Sequence, residues 1–382
     1  MKKSLLIATP YLNNIGGTEI ETVTTAIYLF DTKQFDTVSI FTPNEINRDL
    51  FKKIINNRSI HFFNYPKRLS SPFILLLDRF FYKLKFKNSF SKCIYWKYKS
   101  LSFSNLFVLA YPKSVYFFSI LNGFSKRKNI SAKITLWHYK TLEKEHIPYY
   151  QKFNSIIVFN KKQSDFWEKE YKLKNVLVSD IIIPNEDNLL KIKPINFNEV
   201  SVLQFGYLGR ISREKNIEDM IRLLAYLNKN TSQKTKLMIQ GPGDIKYIGS
   251  LKILAKNLDV ENDISIITEV ISPVSTHLFY AKIHVFLVMS LHEGGPITAL
   301  EAAAAGRMIL SYHVGAMHDR FNTLPLIINN TFEDLCQSAN TFIKLKNDKK
   351  NSVVLEVSKL YKSNLSNKSK GIKLLKIIKN ES

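Results

Sequence analysis

The stretch Ile283 to Gly306, IHVFLVMSLHEGGPITALEAAAAG, leaves the chain few options. Ile283 to Ser290 is a short, mostly apolar run and reads as a buried strand. A Gly294-Gly295-Pro296 turn follows. Pro296 suits the first helical position, where its missing N–H costs nothing. Ile297 to Ala305 carries five alanines and no breaker, which favours helix. A strand, a glycine turn and a helix in that order is one half of a βαβ unit. The turn offers backbone N–H groups to an anion, and the helix dipole favours negative charge there.

The same alternation runs through the chain. In the first half, Leu5–Thr9, Thr37–Thr42, Ser59–Asn64, Ile134–His138, Ser155–Phe159 and Val176–Ile183 read as strands, with a helix over Thr18–Phe30. In the second half, Ser201–Phe205, Lys236–Gln240, Ile264–Thr268, Ile283–Val288 and Met308–Ser311 read as strands, with a helix from about Ile217 to Asn228. Such alternation implies parallel sheets covered by helices on both faces. Residues 185–200 are polar and broken by Pro194, and read as a linker. The expected organisation is an N-terminal Rossmann-like domain over 1–185, a linker over 186–200, and a second Rossmann-like domain over 201–358. A lysine-rich amphipathic helix over 359–382 completes it. Two doubly wound domains facing each other across a cleft place ligands at the carboxyl ends of the strands.

At 382 residues and 45% hydrophobic content, the chain can bury two ordinary cores. Its apolar N-terminal stretch is too short for a secretory signal, and no run reaches the roughly 18 residues that cross a bilayer. Cys93 and Cys336 lie far apart and outside any metal-like spacing, which fits a reducing compartment. The net charge is +23, and residues 51–100 hold twelve Lys/Arg against a single acid, Asp78. Phe, Tyr and Trp interleave with those cations. This pattern suits an anionic membrane surface, where each cation contributes about 1 kcal/mol. A solvated basic face over ordinary core aromatics is the alternative. No zinc-finger spacing, RNP box or basic zipper supports nucleic acid.

Candidate chemistry clusters in two stretches. In VLQFGYLGRISREKN, Gly206 and Gly209 follow a strand, and Arg210 and Lys215 precede a helix. Two cations there can hold a diphosphate and stabilise it as it leaves; the alternative is a surface loop with salt bridges to Glu214. In HEGGPITALE, Glu293 in the loop and Glu301 in the helix can accept hydrogen bonds from sugar hydroxyls. Phosphate held between hydroxyl-bearing groups describes a nucleotide-sugar.

These residues resemble glycosyltransferases of the GT-B fold, family 4, over nearly the whole length. Glu293 and Glu301 match that family's E-x7-E motif. GRISREKN matches its Gly-Arg…Glu-Lys-Asn loop, and Gly16-Gly17-Thr18-Glu19 its Gly-Gly-x-Glu loop. Trp137-His138 sits where the family has a strand-ending His, and Ile183-Pro184-Asn185 matches the tripeptide before its linker. The resemblance implies a retaining, metal-independent enzyme with no cofactor beyond its donor, a UDP- or GDP-sugar. It implies that Arg210 and Lys215 bind the diphosphate and that Glu301 accepts from the ribose. Glu293, with Gly294, Gly295, Pro296 and Ile297, would hold the donor sugar or its phosphates. Gly16 and Gly17 would approach the donor phosphates, and catalytic His138 would lie near the transferred sugar.

The chain departs from the family at Tyr139 after the His, at Glu186 after Asn185, and at Gly295-Pro296 where Phe-Gly is usual. The expected acceptor is lipid-linked or an oligosaccharide of a bacterial surface polysaccharide, with the enzyme peripheral on the cytoplasmic face of the inner membrane. A sugar-nucleotide epimerase and a non-catalytic nucleotide-sugar-binding subunit are the alternatives.

Overall fold

The computed structural model describes residues 3–13, 16–56, 58–84, 90–110, 129–134, 147–151 and 153–381. The chain divides into two compact units. Unit 1 comprises residues 1–182 and 370–382, and unit 2 comprises 183–369.

Unit 1 is a seven-stranded sheet in the order β3-β2-β1-β4-β5-β6-β7, with every adjacent pair parallel. Its strands are β1 Ser4–Ala8, β2 Thr37–Phe41, β3 Ile60–Phe63, β4 Asn105–Ala110, β5 Asn129–Ile134, β6 Ser155–Val158 and β7 Val176–Val178. The helices are α1 Gly17–Asp31, α2 Arg48–Ile55, α3 Pro72–Lys83, α4 Phe90–Leu101, α5 Ile147–Tyr150 and α6 Lys161–Tyr171.

Alternation along the strands divides the core. Leu5, Ile7, Val38, Ile40, Phe107 and Leu109 pack on one face with Val23, Ala26 and Leu29 of α1. Leu6, Ala8, Phe41, Leu106 and Val108 pack on the other with Tyr150 and Trp167. Period-2 side chains buried on both faces define a doubly wound sheet.

Unit 2 is a six-stranded parallel sheet in the order β10-β9-β8-β11-β12-β13. Its strands are β8 Val202–Leu208, β9 Lys234–Gln240, β10 Ile264–Ile267, β11 Val285–Val288, β12 Met308–Tyr312 and β13 Ile328–Asn329. The helices are α7 Glu186–Leu190, α8 Ile217–Asn230, α9 Ile245–Asn257, α10 His277–Tyr280, α11 Ile297–Ala304, α12 Met317–Phe321, α13 Phe332–Lys344 and α14 Asn347–Leu360; α15 Asn367–Lys379 begins in unit 2 and belongs to unit 1 from residue 370 onward.

Several boundaries differ from expectation. β4, at the centre of its sheet, was not among the expected strands. β5 covers Asn129–Ile134, and of the strand expected over Ile134–His138 residues 135–138 lie outside the described residues. Pro296 is the N-cap of α11, because its ψ of 115° is not helical. The segment expected as a linker carries α7. The expected terminal helix is present as α15 and starts at Asn367 rather than at residue 359, because π-helical Tyr361–Leu365 and the extended Ser366 separate it from α14.

Residues 370–382 return to unit 1, where Leu374, Ile377 and Ile378 join the α1 side of the core. Gly371 of α15 lies so close to the Tyr28 ring of α1 that a Cβ there would overlap it. Where the chain enters and leaves unit 2, Asn367 bonds both backbone groups of Ile183, each at 2.8 Å. Among the described residues, no helix is long and apolar enough to cross a membrane.

Candidate active site

In unit 2 the sheet order reverses between β8 and β11. Helices leave opposite faces there and open a crevice at the strands' carboxyl ends, the place where open α/β sheets bind ligands. The Arg210–Lys215 loop follows β8, and the Glu293 loop follows β11. The structure brings them together. Lys215 Nζ lies 2.6 Å from Glu293 Oε1, with the two side chains 17% and 16% exposed. Ser290 Oγ donates to the same oxygen at 2.8 Å. Between the loops, Leu291 N donates to Glu214 O at 2.9 Å.

Arg210 is placed differently. Its side chain is 66% exposed and pairs with Glu214 Oε1 at 2.9 Å. Exposed pairs of this kind contribute about 0.2–1 kcal/mol, so the guanidinium can leave Glu214 for an anion at little cost. Tyr207 fixes the loop by donating from its hydroxyl to Arg210 O at 2.8 Å. Burial, with the nearby Glu293 carboxylate second, keeps that hydroxyl protonated far above its ordinary range. Gly209 has φ +153°, and Gly241, at the end of β9, has φ +145°. A Cβ on Gly241 would overlap Gly209 O, so two glycine turns pack directly together. An open hollow of about 770 Å³ lies between these turns, lined by Arg210, Ser212, Arg213, Pro242 and Tyr247. Its lining includes Arg210 but neither Lys215 nor Glu293.

The glycine loop before α11 rests on another glycine. Gly315 has φ +51°, and a Cβ on it would overlap Gly294 O. Ala316 N donates to Gly294 O at 2.8 Å, and buried Arg320 donates from Nη1 to Pro296 O at 2.7 Å. Gly294, Gly295 and Ile297 are half-buried, so the loop backbone is still within reach of solvent.

Glu301 is not an open carboxylate. It is 2% exposed. Thr276 Oγ1 donates to Oε1 at 3.1 Å, and the Tyr280 hydroxyl lies 3.0 Å from Oε2. Burial pushes the Glu301 carboxyl up to about 8, against the opposing effect of these two hydrogen bonds. The Tyr280 hydroxyl also lies 3.0 Å from Thr298 O. A protonated Glu301 that donates to Tyr280, which in turn donates to Thr298 O, satisfies all three groups.

In unit 1, Gly16 and Gly17 sit at the carboxyl end of β1, whose neighbour β4 marks the corresponding reversal of strand order. Gly16 caps α1 in an extended conformation, and Gly17 is its first residue. A Cβ on Gly16 would overlap the Glu19 carboxylate, which folds back over the helix start where the dipole favours it. A Cβ on Gly17 would meet nothing within 4 Å. His138 lies outside the described residues.

Sequence reasoning missed Thr276, Tyr280, Ser290 and Gly315. Thr276 and Tyr280 are four residues apart, which puts both on one face of a helical turn. That spacing is the only signal, and nothing in it points to Glu301.

Residues 191–354 match the family described as Glycosyl transferases group 1. No curated protein matches the chain. Among solved structures, Anabaena HepE in complex with UDP and glucose superposes with a TM-score of 0.74 at 11% identity, covering 99% of this chain and 100% of that one. A glycosyltransferase from Rickettsia africae gives 0.74 at 16% identity, covering 100% and 98%. The lipopolysaccharide outer core galactosyltransferase WaaB gives 0.67 at 14% identity, covering 99% and 100%. At these identities the likeness is one of fold, and the fold is that of the GT-B glycosyltransferases.

Proposed function

We propose that the protein is a retaining glycosyltransferase. It moves one sugar from a UDP- or GDP-sugar to a lipid-linked or oligosaccharide acceptor in bacterial surface polysaccharide synthesis. The observation that carries this reading is the Lys215–Glu293 pair over the strand-order reversal, with Arg210 on the same loop. Similar structures that contain UDP support the choice of donor.

In this reading Arg210 releases Glu214 and, with Lys215, neutralises the donor diphosphate. The backbone of Gly294, Gly295 and Ile297, at the start of α11, adds N–H groups where negative charge grows on the leaving oxygens. The bond between the sugar's anomeric carbon and the phosphate oxygen breaks, and the acceptor oxygen bonds to that carbon from the same face. The acceptor proton goes to the departing phosphate, so no protein nucleophile is required. Glu293 positions Lys215 and the sugar. Protonated Glu301 donates to Tyr280 and accepts from Thr276, and a ribose hydroxyl would take its remaining acceptor capacity. Gly16 and Gly17 bring backbone to the phosphates, and His138 lies near the transferred sugar on the family resemblance alone. The basic, aromatic segment 51–100 holds the enzyme to an anionic membrane surface on the cytoplasmic side.

A thermal-shift panel of UDP- and GDP-sugars, followed by product analysis with and without acceptor extract, tests this. A donor at 100 times its Kd adds about 2.7 kcal/mol of stability. One donor should stabilise the wild type and not Lys215→Ala. If no donor shifts the wild type, the reading falls. Donor binding without transfer points to a binding subunit, and an altered sugar without acceptor points to an epimerase.

A further inference from the structure

Between β3 and β4 the chain inserts a helical hairpin. Asp78 of α3 accepts from Ser91 N at 2.9 Å and from Ser91 Oγ at 2.8 Å, which satisfies an N-terminal donor of α4. The Phe81 and Phe90 rings stack with centroids 3.9 Å apart. Tyr95 of α4 packs edge-on against Tyr65, and Lys92 lies over that same ring at 5.4 Å, tying the hairpin to the end of β3.

The inward side of α3 is thus Ile74, Asp78 and Phe81, at helical spacing. Another side carries Phe73, Leu76, Leu77, Phe80 and Leu84, at i, i+3, i+4, i+7 and i+11. That spacing makes one apolar stripe about 100° wide, the pattern by which a surface helix normally faces a core. Here it faces none. The five side chains are between 41% and 71% exposed, and none of the residues of α3 is buried. An exposed apolar stripe of this extent marks a docking surface.

Charge selects the occupant. Arg79 and Lys83 flank the stripe, and Lys67 and Arg68 lie on the 3-10 turn that leads into α3. The single acid, Asp78, is turned inward onto α4. Large apolar side chains with flanking cations and no outward acid fit an anionic bilayer, whose interface takes the apolar face below its headgroups.

We propose that α3 is a membrane-insertion helix. It lies in the plane of an anionic lipid surface, with Phe73, Leu76, Leu77, Phe80 and Leu84 in the acyl boundary and Lys67, Arg68, Arg79 and Lys83 on the headgroups. The proposal rests on the membrane placement given above and assigns it to one helix face.

The test uses the full chain with phosphatidylcholine–phosphatidylglycerol vesicles at low salt, read by co-sedimentation and by hydrogen exchange over residues 72–84. The wild type should sediment with these vesicles and not with pure phosphatidylcholine, and exchange in α3 should slow on binding. Leu76→Asp with Phe80→Asp should weaken vesicle binding by at least about tenfold. Both positions are exposed, so melting temperature and the nucleotide-sugar thermal shift should stay as in the wild type.

Undiminished vesicle binding by that variant, or no protection of α3 in a bound wild type, overturns the insertion helix while membrane placement stands. A wild type that sediments with no vesicle overturns both and leaves donor binding untouched. Concentration-dependent protection of α3 without lipid, lost in the variant, would identify the stripe as a contact between copies and overturn the proposal.

Discussion

Lys215 Nζ and Glu293 Oε1 are 2.6 Å apart, joined across 78 residues of sequence. The contact bridges the loops that follow β8 and β11, two strands that are neighbours in the sheet and far apart in the chain. A cation held at 17% exposure by a carboxylate is already oriented when an anion arrives.

Removing either partner strands the other in a half-dry site. Hydrogen bonds to charged groups contribute about 1.5–3 kcal/mol, so Lys215→Ala and Glu293→Ala should each destabilise by that order. Because one interaction is lost in both, the double variant should cost clearly less than the two single losses added together. Chemical denaturation of the four proteins checks this. Additive losses would mean that the pair carries no coupling energy.

Arg210 should behave in the opposite way. Its partner Glu214 holds it on an exposed surface, so Arg210→Ala should leave stability within about 0.5 kcal/mol of wild type. Donor affinity should nevertheless fall, because a guanidinium that binds a diphosphate acts as a two-pronged donor. Melting without ligand and with a nucleotide-sugar separates the two effects. An unchanged ligand shift would remove Arg210 from the site.

Gly16 and Gly17 should separate packing from ligand approach. Gly16→Ala pushes a methyl group into the Glu19 carboxylate, so it should lower stability. Gly17→Ala has open space around it, and Ala is a better helix residue than Gly by about 0.5–1 kcal/mol, so the fold should be unharmed. If donor phosphates approach this backbone, Gly17→Ala should still lower transfer rate. A variant that is stable and fully active would show that nothing comes close to Gly17.

The sequence shows the strand, glycine turn and helix units because each is local. β11, Gly294-Gly295-Pro296 and α11 follow from periodicity and propensity within one stretch. It does not show β4 as easily, because LFVLA stands in a basic aromatic setting that draws attention to charge. Asn129–Ile134 is polar at alternate positions, which hides its place inside the sheet. The Lys215–Glu293 contact was expected only as two residues of one site, since a direct ion pair depends on the adjacency of β8 and β11. The burial of Glu301 could not be read at all. Whether a carboxylate on a helix opens to solvent depends on what packs over it, and the covering residues Thr276 and Tyr280 come from a distant turn.

That burial has a consequence for pH. The Glu301 carboxyl is raised to about 8 by desolvation, from an ordinary value of 4.5. Below pH 4.5 it is protonated both folded and unfolded, so it adds no pH dependence there. Between 4.5 and 8 the unfolded chain gives up its proton while the folded chain keeps it. Folding then retains the proton at increasing cost, and stability falls as pH rises, by at most about 1.4 kcal/mol per pH unit. Above 8 the folded form ionises too and the loss levels off. Glu301→Gln keeps a neutral group of similar shape that can donate to Tyr280. It should therefore flatten the stability profile between pH 5 and pH 8 and surpass the wild type at the alkaline end. Denaturation midpoints of both proteins across this range decide the matter: parallel profiles would mean that Glu301 is ionised in the folded protein and its proton is not what holds Tyr280 and Thr298 together.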